Sequence, residues 1–257
     1  MSDPQKDDPA AAGASVDSGD QSSWRSKAAM IVPLAIFFAL GAVIDTSPKV
    51  DGDVIDASAY LTLVAARVLL MTGSLIFFTR QIATQFQWSV DRLGVIVGIV
   101  GALLWIGICE MQIERGGIAW LGLSPDWLPE REGVNPWMAF PGAGERGVFL
   151  ILRFVLLVIC VPIAEELFMR GFLMRAVEVE DWTRLPLSQI GRTGLVVGTV
   201  YAIASHPGEA IAATLWFSLV SWLMLRTGRF WNCVLAHAIT NLLLGVYVCL
   251  FERWWLW

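Results

Sequence analysis

From residue 28 onward, long apolar runs alternate with short polar connections. The runs cover 28–44, 60–78, 93–109, 154–174, 193–205, 210–225 and 233–251. Crossing ~30 Å of hydrocarbon takes roughly 20 helical residues, so most of these runs are long enough, 193–205 is short and 210–225 is borderline. None shows the period-2 alternation of a membrane barrel, which leaves helix as the spanning structure. The pattern predicts an all-α polytopic transmembrane bundle of about seven to eight spans. Residues 1–27 are different, rich in Asp, Ser, Ala and Gly with Trp24 the one aromatic. They bury too little apolar surface to order themselves and read as a disordered tail. No secretory cleavage site follows the first apolar run. The expected organisation is a tail (1–27), N-terminal transmembrane helices with an interfacial loop (28–144), and a C-terminal transmembrane core (145–257).

Composition agrees. The 257 residues are 56% hydrophobic and 16% charged, with a mean hydropathy of +0.62. Soluble domains run nearer a quarter charged, so the bilayer is the first partner. The net charge is -5 and there is no basic block, which argues against nucleic acid. Cys109, Cys160, Cys233 and Cys249 lie in apolar segments without a CxxC pair, so they read as buried small side chains.

With the N-terminus placed in the cytoplasm, eleven Lys and Arg fall on the inner side: Lys6, Arg25, Lys27, Arg80, Arg92, Arg170, Arg175, Arg184, Arg192, Arg226 and Arg229. Five fall outside: Lys49, Arg115, Arg131, Arg146 and Arg253. The bias predicts N-terminus in, C-terminus out for an odd number of spans. Connection 110–146 carries Trp120, Trp127 and Trp137 and reads as an interfacial cap, as do Trp254, Trp255 and Trp257. The spacings Gly94–Gly98 and Gly194–Gly198 read as helix-packing positions.

Polar groups inside apolar runs need a reason. Glu165, Glu166 and Arg170 sit deep in run 154–174. The i, i+4 spacing pairs Glu166 with Arg170, while Glu165 points ~100° away. One arginine does not account for two carboxylates. A poorly solvated carboxylate suits a general base working on water. His206 precedes Pro207, so the helix should end there within the membrane. His237 and Asn241 share one helical face. The two histidines are the only ones in the chain. Counting ~1.5 Å per residue places Glu165, His206, His237 and Asn241 in one central slab. They should converge on one water-accessible cavity, a set for activating water and stabilising an oxyanion. Its mouth is expected beside the arginine-rich connections 175–192 and 226–229.

These residues, in this order, resemble the CAAX-protease and bacteriocin-processing (CPBP) family of intramembrane proteases, which includes the type II CAAX prenyl proteases. Glu165, Glu166 and Arg170 match EExxxR, His206 matches the histidine of FxxxH, and His237 and Asn241 match HxxxN. The run from Leu225 to Trp231 is similar to the family's lead-in to the third motif, and the resemblance covers about 145–250. The phenylalanine of FxxxH falls at Ala202, with Tyr201 one residue off, and the aromatic reads as packing. The segments around Glu165 and His237 also resemble the exosortase-associated subgroup.

The resemblance implies an endopeptidase acting on a membrane-associated protein, in a bacterial plasma membrane. By carry-over, Glu165 and His206 hold and activate water, His237 and Asn241 form the oxyanion hole, and Glu166 with Arg170 supports the site. A metal is left open: Glu165, His206 and His237 are adequate ligands for zinc, while HExxH is absent and the same residues suffice for a metal-free glutamate mechanism. The alternatives are a non-catalytic maturation or immunity factor that keeps the fold, and a proton-coupled transporter.

Overall fold

The computed structural model describes residues 9–45, 49–50, 54–124, 126, 128–129 and 133–257, with backbone alone for 9–23, 45, 49–50 and 54–55. Helix α1 (Pro9–Asp45) is followed, after a two-residue antiparallel pairing of Lys49–Val50 with Val54–Ile55, by α2 (Ala57–Phe77), α3 (Thr79–Gln85), α4 (Arg92–Glu110) and α5 (Ile113–Trp120). A short turn α6 (Pro136–Ala139) leads into one long composite helix. That helix runs as α7 (Ala143–Val155), a π-helical stretch (Leu156–Cys160), α8 (Val161–Glu166), a second π stretch (Leu167–Leu173) and α9 (Met174–Ala176). Then come α10 (Arg192–Ser205), α11 (Ala210–Thr227) and α12 (Phe230–Phe251).

Capping chemistry sets several ends. Asp56 and Asp91 accept from the Ala59 and Leu93 backbone N–H groups at the starts of α2 and α4. Gly228, at φ 66°, supplies the left-handed residue that stops α11.

Among the described residues, six helical segments are long and apolar enough to cross a membrane: Trp24–Ile44, Ala57–Phe77, Arg92–Glu110, Ala143–Ala176, Pro207–Thr227 and Phe230–Phe251. The chain is an all-α integral membrane protein. Run 193–205 is not among the six. It forms α10, 14 residues long, about 21 Å at the α-helical rise. Its helix stops at His206 because the following proline disfavours α geometry there. The tail read as disordered divides in two. Residues 1–8 lie outside the described residues, and from Pro9 the backbone is already helical, continuing the first span back through an alanine-rich stretch of high helix propensity. The boundary at 144/145 falls within the first turn of α7, and one core joins both sides of it: Met30 and Val97 pack with Leu167, Met169, Trp216 and Cys233.

Side-chain contacts assign the helix ends to two faces. On the N-terminal face, Arg229 pairs with Asp91, Trp88 packs on Trp231, Arg175 donates to the Thr183 and Leu185 carbonyls, and Gly228 sits beside Ser188. On the C-terminal face, Arg253 pairs with Glu110, Trp137 packs on Trp254, and Glu114 reaches the Ala212 N–H at the start of α11. Since Ser188 precedes α10 and Gly228 follows α11, those two helices form a hairpin that returns to the N-terminal face.

α4 and α12 lie unusually close. A Cβ on Gly98 would stand 2.8 Å from the Ala236 carbonyl, and one on Gly101 would stand 2.7 Å from Trp216 Nε1. The space left by these glycines lets Thr240 donate to the Gly98 carbonyl at 2.9 Å, while Trp216 donates to Thr240 at 3.0 Å. The Gly94–Gly98 pair is therefore a packing site. It fixes the rotation of α12 and with it the direction of His237.

Candidate active site

The composite helix sets the geometry. Val161 N–H bonds to the Leu156 carbonyl in the π register. The same register would pair the Leu157 carbonyl with residue 162, a proline without a proton to give. Asn241 fills the gap, its Nδ2 donating to the Leu157 carbonyl at 2.8 Å. One amide proton thus anchors the side chain and the other is left for a ligand.

Glu165 and Glu166 occupy the short α segment between the two π stretches and diverge. Glu166 is fully buried and ion-paired with the fully buried Arg170. Arg170 also donates to the Phe217 carbonyl at 3.2 Å. The other oxygen of Glu166 lies 3.1 Å from His237 Nδ1, so the carboxylate takes an Nδ1–H and fixes the ring. His237 Nε2 then faces Glu165 Oε2 at 3.8 Å, just beyond direct bonding and within reach of a single water. Glu165 Oε1 accepts from the Tyr201 hydroxyl at 3.1 Å. His206, at the broken end of α10, has Nδ1 3.0 Å from Ser205 Oγ and 3.3 Å from the Ala202 carbonyl.

Glu165, His206, His237 and Asn241 all line one cavity of about 430 Å³. Glu166 and Arg170 stand behind it and do not line it. Among the described residues no three His, Cys, Asp or Glu side chains are grouped to hold one metal ion, and Glu165, His206 and His237 as placed do not make such a group.

The arginine-rich connections expected beside the mouth, 175–192 and 226–229, do not line the cavity, whereas Glu209, Trp255, Leu256 and Trp257 do. The segment after α12 folds back across the C-terminal face, packing Trp257 near Phe149 and Phe154. Sequence reasoning also missed Tyr201. Its ring does pack on Phe168, but its hydroxyl holds the base candidate. Trp105, Leu34 and Phe37, from segments without a motif, complete the wall. Only the aromatic beside the motif position signalled any of these. Around His206, Trp105 and Phe217 supply the aromatic volume, at ring separations of 5.3 and 5.9 Å, that Ala202 lacks.

Residues 147–243 match the family model described as Type II CAAX prenyl endopeptidase Rce1-like. This segment is similar to the Rce1-like family. It holds all six motif residues, from Glu165 to Asn241, and with them the cavity's polar end. No curated protein and no solved structure matches the chain. Trp105 on α4 and the C-terminal Trp255 and Trp257, which wall the same cavity, lie outside the Rce1-like segment.

Proposed function

We propose that the chain is an intramembrane endopeptidase that hydrolyses a peptide bond of a membrane-associated protein. The observation that carries this reading is the convergence of one carboxylate, two histidines and an asparagine on one cavity, with a second carboxylate behind it holding His237. The Rce1-like match supports it.

In this reading Glu165, steadied by Tyr201, takes a proton from a water held between it and His206. The water oxygen bonds to the substrate carbonyl carbon. The resulting oxyanion accepts from the second amide proton of Asn241 and, when the ring is doubly protonated, from His237 Nε2–H. The proton on Glu165 passes to the leaving nitrogen as the carbon–nitrogen bond breaks. Water is thereby divided between a new carboxyl and a new amine. Glu166 and Arg170 position His237 and touch no reacting atom. A cytoplasmic N-terminus and action in the bacterial plasma membrane are part of the proposal.

Purified protein in proteoliposomes, given a library of membrane-anchored peptides, should release products with wild type and none with Glu165→Gln. Equal release by both would overturn the proposal.

A further inference from the structure

The cavity is one-ended. On each helix that contributes to it, the lining residues lie from the catalytic level toward the C-terminal face: Trp105 on α4, His206 at the end of α10, Trp216 near the start of α11, and the α12 residues from His237 to Val248. Toward the N-terminal face Arg170, Leu167, Met169, Met224 and Cys233 are all fully buried, and the Glu166–Arg170 pair lies behind the cavity.

The two faces also differ in charge. Arg25, Lys27, Arg80, Arg92, Arg184, Arg192, Arg226 and Arg229 belong to the N-terminal face by the contacts of their elements, against Arg115, Arg146 and Arg253 on the described part of the other. Connections rich in Lys and Arg stay cytoplasmic. The hairpin made by α10 and α11 leaves this assignment consistent, because both its ends return to the N-terminal face.

Resting on the endopeptidase reading above, we propose that the substrate reaches the site from the non-cytoplasmic face, passing Glu209 and the Trp255–Trp257 segment. The substrate class is then a membrane-anchored polypeptide whose scissile bond lies on the outer side, within the outer half of the bilayer. Leu34, Phe37 and Leu244 along the wall suit apolar side chains flanking that bond.

Single cysteines read the sidedness without needing turnover. Leu256→Cys marks the mouth, Ser205→Cys the cavity interior, and Arg184→Cys, whose native side chain is 87% exposed, the opposite face. The native cysteines are buried or half-buried and set the blank. A charged, membrane-impermeant maleimide should label Leu256→Cys and Ser205→Cys in right-side-out spheroplasts. Arg184→Cys should label in inverted vesicles alone. Labelling of positions 205 and 256 in inverted vesicles alone would overturn the proposal. So would failure of both to label on either side in protein that remains folded, since that describes a sealed cavity. An inactive enzyme that labels from outside would leave the sidedness standing and remove the protease reading instead.

Discussion

The two adjacent glutamates show how little sequence distance separates two roles. Glu166 spends both oxygens on Arg170 and His237, inside a fully buried pair. Glu165 keeps one oxygen toward the cavity and gives the other to Tyr201. Glu165→Gln should therefore abolish activity with the melting temperature nearly unchanged. Glu166→Gln should leave Arg170 buried and uncompensated, at a cost of about 3–5 kcal/mol, seen as a large fall in melting temperature in detergent. The reverse pattern would exchange the two assignments. Tyr201→Phe removes one hydrogen bond to a charged group, worth about 1.5–3 kcal/mol, so kcat should drop ~10- to 100-fold in folded protein; an unchanged kcat would reduce Tyr201 to packing. The four cavity residues were legible in the sequence because each is a polar group inside an apolar run or, for His206, at the end of one. Tyr201 was not, because its partner lies 36 residues away on another helix and an aromatic in a span is ordinarily core.

At the scale of elements, most spans follow from run length alone, and the departures are local. The 14-residue α10 is visible as a short run that ends before His206 and Pro207, whereas the two π stretches leave no mark on hydrophobic periodicity, since apolar side chains tolerate either register. Pro162 is where the register becomes functional. Pro162→Ala supplies an N–H for the Leu157 carbonyl and competes with Asn241, so activity should fall while thermal stability holds; stability lost with activity retained would deny Asn241 its anchor. The α4–α12 contact makes a second demand. Gly98→Val places a side chain against Ala236 and Ile239 and should lower both melting temperature and activity. Asp91 clips the start of α4 to α12 through Arg229. Burial pushes its carboxyl up, but hydrogen bonds with Asn232, Leu93 and Gly94 and the Arg229 charge outweigh that and hold it below its ordinary 3.8. A lowered folded-state pKa means that Asp91 contributes its full stabilisation above the ordinary value and loses it as pH falls through the folded one. The melting-temperature gap between wild type and Asp91→Asn should be present at neutral pH and close below about pH 4.

For the whole molecule, the sequence pointed to the bundle and to one shared cavity, but not to the segment after α12 that helps to wall it. Arginine-rich connections drew attention to the N-terminal face, while the cavity is lined in part by a segment after α12 that folds back over the bundle. No local pattern encodes that return, which depends on Trp254 and Trp257 meeting rings of Trp137 and Phe149 far away in the chain. The cavity joins groups from α1, α4, α8, α10, α11 and α12, so the N-terminal helices are part of the site and not a separate anchor. The central claim is that this joined site cuts polypeptides through Glu165. Its most direct measurement is a comparison of new peptide termini in membranes of cells carrying wild type and Glu165→Gln at equal abundance. The account predicts a small set of termini from membrane-anchored proteins, present with wild type and missing with Glu165→Gln. Identical sets from the two would contradict it.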